Sequence, residues 1–192
     1  MSTSVLKIDK SVMQARWVFP AVDDDTVSRL MKDHDLSEIV ARLLVARNVT
    51  SKDVDVYLNP RLSRDFPDPF SLQGMKEFAA YMADAIMGGK KIAAFCDFDV
   101  DGSTSAAVLK KFFRHLGQDI RVYIPDRMTE GYGPNAKALH TLKSEGADIV
   151  VMADCGTTAF DVIAQGRGFG LDICVIDHHE AEDRLPDANH LI

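Results

Sequence analysis

Hydrophobic positions in the second half of the chain alternate between short continuous runs and helical spacings. Continuous apolar runs of this length are typical of strands buried on both faces of a parallel sheet. Helical spacings separate them at about residues 103–116, 134–144 and 157–165. The pattern predicts an α/β fold, a parallel β-sheet flanked by helices with right-handed crossovers. The predicted strands are Ile92 to Cys96, Ile120 to Ile124, Ile149 to Met152 and Ile173 to Ile176.

The first half has a mainly helical pattern. Apolar residues predict one helix face behind Ser37 and a second amphipathic helix that ends at Gly88-Gly89. A short helix is expected after Thr50, and the prolines between residues 59 and 69 predict an extended connector. We therefore expect a small helical region over residues 1–89 and an α/β domain over residues 90–192. The two helix faces comprise Leu36, Ile39, Val40, Leu43 and Leu44, and Met75, Phe78, Met82 and Ile86.

Composition narrows the class of protein. With 192 residues and 46% hydrophobic content, the chain is long enough for one good core and a smaller appended one. No run reaches the roughly 18–20 apolar residues of a membrane span, and the N-terminus lacks the apolar stretch of a secretory signal, so the expected compartment is the cytoplasm. Cys96, Cys155 and Cys174 show no C-x-x-C spacing and are expected to be buried apolar side chains.

Four clusters of polar residues follow the four predicted strands. Loops at the carboxyl ends of parallel strands share one edge of a sheet, where ligands bind. Segments far apart in the sequence are therefore expected to form a single site. The clusters are Asp97 to Gly102, Asp126 to Gly133, Asp154-Cys155-Gly156 and Asp177-His178-His179.

The first cluster indicates a cation site. Asp97, Asp99 and Asp101 would repel one another at a strand end unless cations neutralised them. The D-x-D-x-D-G spacing also begins a helix-loop-helix calcium loop, but the twelfth position is Val108 instead of the required glutamate. Oxygen ligands with an added imidazole favour Mn²⁺ or Mg²⁺ over zinc. Two such ions would return about +4 to a chain of formal charge −7, which on its sign alone argues against nucleic-acid binding.

The later clusters supply further candidate ligands. Asp154 suits the place of a carboxylate that bridges two ions, although capping of a helix ahead of Thr157 explains it nearly as well. Adjacent residues that leave a strand do not easily all bind one ion. One of Asp177, His178 and His179 is therefore expected to be a ligand, with the other two in support.

Other residues near the same edge are candidates for substrate binding. Ser103 and Thr104 lie at the start of a predicted helix. Their backbone N–H groups are expected either to donate to a phosphate oxygen or to take part only in the capping of that helix. Arg127 is predicted to clamp a phosphate bidentately. Tyr132 offers either a stacking face or turn packing, and Asn135 in the same segment is a further candidate.

Taken in order, these motifs resemble those of the DHH phosphoesterase superfamily, named for its Asp-His-His motif, and among its members most closely the single-strand-specific DNA exonucleases. The resemblance covers most of the chain. It rests on Trp17, Leu43-Leu44-x-x-Arg47, Asp68-Pro69-x-x-Leu72, Asp97 to Gly102, Ile124 to Arg127, Glu130 to Gly133, Asp154 to Gly156 and Asp177 to His179.

The resemblance implies two Mn²⁺ or Mg²⁺ ions held by Asp99, Asp101, Asp154 and His178. Asp97 would be a ligand or a close neighbour of one, while Asp177 and His179 would support ligands or contact phosphate. It also implies a metal-dependent hydrolase that degrades single-stranded DNA from 5′ to 3′ in repair and recombination. A single-strand-binding protein and a helicase are the expected partners, and no membrane is expected.

Members of this kind continue with another metal-ligating aspartate, a second domain with a Gly-rich motif and an oligonucleotide-binding fold. We therefore expect this chain to be an N-terminal fragment with a truncated α/β domain, weakly active or inactive alone. Two other functions remain open: a phosphodiesterase acting on short oligonucleotides, cyclic dinucleotides or pyrophosphate, and a non-catalytic replication scaffold.

Overall fold

A computed structural model describes residues 10–15, 18 and 20–192 and divides the chain into two compact units. The first unit ends at Pro67 and the second is Asp68–Ile192. Trp17, which contributes to the family resemblance, lies outside the described residues. The division into domains at residue 89 stays a prediction.

The first unit is helical and has its own small core. Asp23 caps the first helix by accepting a hydrogen bond from the Thr26 backbone, 2.9 Å from N to Oδ2. This helix was not among the predicted elements, although an aspartate cap and an acidic first turn precede its apolar positions. The helices are α1 (Asp24–His34), α2 (Glu38–Ala46), α3 (Val54–Leu58) and α4 (Leu62–Asp65), and the core comprises Val27, Leu30, Ala41, Leu44 and Val54.

Two expectations for this region need correction. Ser37 caps α2 as expected, but only part of the predicted apolar face is buried, and Ile39 is 64% exposed. The proline-rich connector is not wholly extended, because α4 forms within it and a 3-10 turn follows at Pro69–Ser71. Local hydrogen bonds explain both turns: the Asp65 carboxylate accepts from the Arg61 backbone, and the Asp68 carboxylate from the Phe70 backbone.

The second unit contains a parallel five-stranded sheet, which confirms the predicted fold class. The strand order is β2-β1-β3-β4-β5. The predicted strands and helices are present, and the predicted helix at 134–144 begins at Ala136 behind an Asn135 cap. The elements are α5 (Met75–Met87), β1 (Ile92–Cys96), α6 (Val100–His115), β2 (Arg121–Tyr123), α7 (Ala136–Ser144), β3 (Ile149–Ala153), α8 (Phe160–Gly168), β4 (Asp172–Ile176) and β5 (His190–Leu191).

Helices cover both faces of this sheet. Side chains of α5 and α6, such as Phe78 and Phe113, pack on one face, and side chains of α7 and α8, such as Leu139 and Ile163, pack on the other. Every residue of β1 and β3 is buried, which is why these strands read as continuous apolar runs. No helix among residues 10–15, 18 and 20–192 is long and apolar enough to cross a membrane.

The packing of α8 on the sheet yields a stability prediction. A Cβ atom at Gly166 would lie 2.7 Å from Leu139 Cδ1 and 3.2 Å from Ile173 Cδ1, and both of these side chains are fully buried. We expect Gly166→Ala to lower the free energy of unfolding by roughly 1–3 kcal/mol through overpacking. Gly168→Ala, in the same helix with open space around its Cβ, should leave it unchanged or raise it by up to about 1 kcal/mol. Urea unfolding of both variants checks this, and equal effects would contradict it.

Candidate metal centre

Strand register brings three aspartates to adjacent positions at the carboxyl edge of the sheet. Cys96 pairs with Ala153, and Ala153 pairs with Ile176. The residues that follow these three are Asp97, Asp154 and Asp177. Because β2 lies on one side of β1 and β3 on the other, the strand order reverses at this point, which is where open α/β sheets bind ligands.

Asp97 is the most unusual of these side chains. It is 0% exposed, and neither carboxylate oxygen has a hydrogen-bond partner among the described residues. Oδ2 of Asp154, which is 6% exposed, also lacks a partner there. Burial of a polar group without a compensating hydrogen bond costs several kcal/mol on scales where nothing replaces water. Three orphaned carboxylate oxygens therefore indicate that a group outside the protein completes this site.

Asp154 has a backbone conformation that supports this role. Its φ of 62° lies in the left-handed region, which is uncommon for an aspartate, and its N–H donates to the Ile176 carbonyl at 2.9 Å. It does not cap a helix: α8 begins at Phe160 with Ala159 at the cap position. The helix predicted from about Thr157 therefore begins later, at Phe160, and the capping alternative for Asp154 is wrong, because residues 154–159 form a turn at the sheet edge.

Charges around Asp154 oppose its ionisation. Burial and the neighbouring Asp99 carboxylate raise its pKa, while His178, with Nε2 3.1 Å from Asp154 Oδ1, acts in the opposite direction. The neighbouring carboxylates of Asp154 and Asp99 repel each other, so a cation bound between them is favoured. The carboxylate of Asp154 and the imidazoles of His178 and His179 offer ligand atoms that all lie within 4.8 Å of one another.

Asp99 is the N-cap of α6. Its Oδ1 accepts hydrogen bonds from the Asp101 and Gly102 backbones, each at 3.0 Å, and its carbonyl accepts from the Ser103 backbone. The Gly102 bond is the largest effect that lowers the pKa of Asp99 and keeps this side chain ionised. Asp101 lies exposed in the first turn of α6. Asp99 is thus placed beside Asp154, whereas a place for Asp101 among the ligands stays a prediction.

The cap also bears on the proposed phosphate contacts of α6. The backbone N–H of Ser103 already donates to Asp99, and the Thr104 hydroxyl donates to the Val100 carbonyl at 2.9 Å. The helix start therefore follows the capping interpretation, and substrate contacts by Ser103 and Thr104 stay predictions.

Asp177 is surrounded by donors. Its carboxylate, 2% exposed, accepts from the Thr157, His178 and His179 backbones and lies 2.7 Å from His179 Nδ1. Burial raises the pKa of Asp177, but the Thr157 N–H and the His179 ring outweigh it, so the pKa falls to about 2. The hydrogen bond to Asp177 in turn raises the pKa of His179. Asp177 therefore fixes the backbone of both histidines and the ring of His179, and its supporting role in a metal site stays a prediction.

A second loop carries the predicted substrate residues. The Arg127 guanidinium lies 5.3 Å from the centre of the Phe98 ring, and Tyr132 packs edge-on against the same ring. The Tyr132 hydroxyl reaches His179 Nε2 at 3.4 Å, which joins this loop to the histidines. Asn135 caps α7 by accepting from the Ala138 backbone, so its contact with substrate stays a prediction.

Two residues of this region were missed. Glu130 accepts hydrogen bonds from the Tyr123 hydroxyl at 2.7 Å and the Asp126 backbone at 2.9 Å, and so fixes the base of the second loop. Phe98 stands between Asp97 and Asp99 of the first cluster and contacts the second loop. A glutamate before a Gly-x-Gly turn and an aromatic residue within an acidic motif were the available signals. Cys96, Cys155 and Cys174 are buried and unpaired, as expected.

Comparison with known proteins gives a family match and several similar sequences. The sequence model of the DHH family, N-terminal domain, matches residues 91–192. The single-stranded-DNA-specific exonuclease RecJ of Bacillus subtilis (strain 168) is 35% identical over 178 residues, which is 92% of this chain and 22% of that protein. RecJ of Salmonella typhimurium is 31% identical over 82% of this chain and 27% of its own length. The chain thus spans about a quarter of the length of these curated relatives.

Two solved structures extend the comparison. A crystal structure of exonuclease RecJ bound to manganese matches with a TM-score of 0.57 and 32% identity over 62% of this chain and 31% of that one. The crystal structure of RecJ from Thermus thermophilus in complex with Mn²⁺ matches with a TM-score of 0.61 over 88% of this chain and 23% of that one. The identity in the second match is 24%, so it bears on the fold alone.

The buried Asp177 carboxylate gives a pH-dependent prediction. Asp177→Asn should lower the free energy of unfolding near neutral pH by roughly 1–3 kcal/mol, because four donors lose a charged acceptor. The folded-state pKa of about 2 lies below the ordinary value of 3.8, so the stabilisation by Asp177 is present above 3.8 and is lost as the pH falls toward 2.

Urea unfolding between about pH 2.5 and 7 measures this difference. The deficit of Asp177→Asn should shrink below about pH 4. Asp183→Asn, at an exposed position of the loop that follows, is the matched control and should stay close to the unaltered chain at each pH. A deficit of Asp177→Asn that is constant over the whole range would contradict the role assigned to this carboxylate.

Proposed function

The chain belongs to the DHH family, and from that membership we propose that it carries the metal-binding part of an active site that hydrolyses single-stranded DNA. The observation that carries this proposal is the set of buried carboxylate oxygens without donors on Asp97 and Asp154. A protein does not retain such oxygens at low cost unless a cation is bound to them.

The residues present fit Mn²⁺ or Mg²⁺. Asp97, Asp99 and Asp154 offer carboxylate oxygens and His178 offers an imidazole nitrogen, a set that suits hard or intermediate divalent ions. The cysteines near the edge are buried with raised pKa values, mainly through desolvation, so they do not compete as thiolate ligands. We include Asp101 as a further ligand on the strength of the family resemblance.

When bound, two divalent ions supply Lewis-acid charge that polarises a phosphate and lowers the pKa of a coordinated water. The protein's own residues bind and orient the substrate around them. Arg127 would contact a phosphate, and Tyr132 would offer a stacking surface to a base. His179, held through Nδ1 by Asp177, has its other nitrogen 3.4 Å from the Tyr132 hydroxyl.

The finer parts of the proposal rest on similarity to RecJ. These are hydrolysis from the 5′ end toward the 3′ end, a role in repair and recombination, and partnership with a single-strand-binding protein and a helicase in the cytoplasm. The similarity to the Bacillus subtilis protein extends over 92% of the chain, well beyond residues 91–192. That extent favours a RecJ-like exonuclease over a DHH-family phosphodiesterase acting on short oligonucleotides or cyclic dinucleotides.

A non-catalytic scaffold is the less favoured alternative. Such a protein has no need to bury an unpaired carboxylate, yet Asp97 remains fully buried here. Because the chain corresponds to 22% of the Bacillus subtilis relative, the exonuclease activity is proposed for a protein that contains this domain. For the 192-residue chain by itself we propose metal binding with weak or absent hydrolysis.

The proposal predicts effects of opposite sign for one substitution. Asp97→Asn removes a buried charge that no donor compensates, so in the absence of metal it should raise the free energy of unfolding by roughly 1–3 kcal/mol. The unaltered chain should gain about 2.7 kcal/mol at a Mn²⁺ concentration about 100 times its dissociation constant, and Asp97→Asn should gain little or nothing. Thermal unfolding with and without Mn²⁺ measures both effects.

Asp161→Asn, at an exposed position on α8, is the matched control and should respond to Mn²⁺ like the unaltered chain. Calorimetric titration of Asp154→Ala and His178→Ala tests the remaining ligands, and digestion of 5′-labelled single-stranded DNA with the same samples tests hydrolysis. An Asp97→Asn chain that is stabilised by Mn²⁺ as strongly as the unaltered chain would overturn the site.

A further inference from the structure

Phe98 links the acidic loop after β1 to the loop after β2. It stands between Asp97 and Asp99 and is half-buried. The Arg127 guanidinium carbon lies 5.3 Å from the centre of its ring. The Tyr132 ring lies 5.8 Å away at an interplanar angle of 84°, an edge-to-face contact. One aromatic side chain thus contacts both residues of the second loop that are candidates for binding substrate.

Arg127 depends on this contact for its position. Some arginines of the chain are held by carboxylates, for example Arg121 by Glu145 at 2.9 Å and Arg42 by Asp24 at 2.8 Å, whereas Arg184 lies 4.2 Å from the centre of the Phe160 ring. In the part of the chain that the structure describes, Arg127 has no ion pair and is exposed. A guanidinium packed over an aromatic face keeps its in-plane N–H groups available for a phosphate. A carboxylate partner would compete with the phosphate for those same groups.

The remainder of the second loop is fixed without Arg127. The Glu130 carboxylate accepts from the Asp126 backbone, and the Asp126 side chain accepts from the Met128 backbone at 2.8 Å. These bonds determine the path of the main chain on both sides of position 127. They do not orient the Arg127 side chain, and the Phe98 ring supplies that orientation.

Tyr132 connects the same ring to the metal-binding edge. Its hydroxyl lies 3.4 Å from His179 Nε2, and its edge-on packing against Phe98 restricts the ring on the other side. The contacts therefore run without interruption from Arg127 through Phe98 and Tyr132 to His179.

We propose that Phe98 is a positioning residue that holds the Arg127 guanidinium at the carboxylate edge, ready to bind a phosphate of single-stranded DNA. The inference rests on the proposed function and deepens it, because it assigns the orientation of the phosphate contact to a residue between two candidate ligands. The competing role for Phe98 is purely structural, in which its ring shapes the turn that carries Asp97 and Asp99. The structural role predicts that loss of the Phe98 ring also weakens metal binding, whereas the positioning role predicts that metal binding is unchanged.

The test is DNA binding without cleavage by the full 192-residue chain. Fluorescence anisotropy with a 5′-phosphorylated single-stranded oligothymidylate in Ca²⁺ compares the unaltered chain with Phe98→Leu, Phe98→Tyr and Arg127→Ala. Loss of the cation–π and aromatic contacts in Phe98→Leu should weaken DNA binding roughly 5- to 30-fold. Phe98→Tyr keeps an aromatic ring and should bind DNA as the unaltered chain does. Mn²⁺ affinity measured by calorimetry should be unchanged in Phe98→Leu.

A double-mutant cycle measures the coupling between Phe98 and Arg127 in DNA binding. If Phe98 acts through Arg127, the Phe98→Leu/Arg127→Ala chain should bind DNA no more weakly than Arg127→Ala alone. Additive losses would overturn the proposal. A fall of Mn²⁺ affinity in Phe98→Leu that parallels the loss of DNA binding would also overturn it in favour of the structural role.

Failure of the proposed function is distinguishable from failure of this inference. If the unaltered chain does not bind the oligonucleotide, substrate binding by this chain is contradicted while its proposed metal binding is not, and the Phe98 contact is judged by NMR. The Arg127 Nε–Hε resonance should be shifted by the ring current of Phe98, should move in Phe98→Leu and should return in Phe98→Tyr. An Arg127 resonance that is the same in Phe98→Leu and the unaltered chain would overturn the inference.

Discussion

The burial of the Asp97 carboxylate at the carboxyl edge of β1 is the constraint on which the rest of the candidate site depends. The sheet buries this side chain completely, and neither carboxylate oxygen has a hydrogen-bond partner within the described residues. The register then sets Asp154 beside it, on the strand that pairs with β1. Like charges that are buried side by side favour a bound cation. The strand order brings these carboxylates together and so determines where in the domain a metal ion is favoured.

Tight turns are needed to keep the backbone close to this edge. Gly102 passes so near the Asp97 main chain that a Cβ atom would overlap the Asp97 carbonyl oxygen. Gly156, with a φ of 120°, follows Asp154 and its missing Cβ leaves room for the Val175 side chain, whose methyl carbons would lie 3.1 Å away. The glycines of the two motifs thus have a steric explanation: α6 starts directly behind Asp97, and the loop after β3 folds down onto β4.

The sequence patterns predicted the elements whose burial is uniform and failed where local hydrogen bonds decide. Strands β1 and β3 are buried along their whole length, so their apolar runs were unambiguous. Strand β5 has two residues, and its position depends on side-chain bonds such as that from the Ile173 backbone to Asn189 at 2.8 Å, which no periodicity reveals. The start of α8 was placed too early because the left-handed conformation of Asp154 is a tertiary effect.

The same distinction holds for the candidate site. Motif positions predicted that Asp154, His178 and His179 converge, because parallel strands bring their carboxyl ends together. They did not separate ligands from supports: one carboxylate oxygen of Asp99 is engaged at a helix start, and Asp177 is taken up by donors from Thr157 and the histidines. Those assignments require hydrogen-bond geometry, which the order of residues along the chain does not contain.

The formal charge of −7 describes the whole chain, whereas substrate binding depends on the charges near the carboxylate edge. Along the edge, the loop after β2 presents the exposed Asp126 and Arg127, and the loop after β4 presents the exposed Glu180, Glu182, Asp183 and Arg184. An acidic chain is therefore compatible with a nucleic-acid substrate, because attraction depends on the field at the site and its bound ions and not on the total charge.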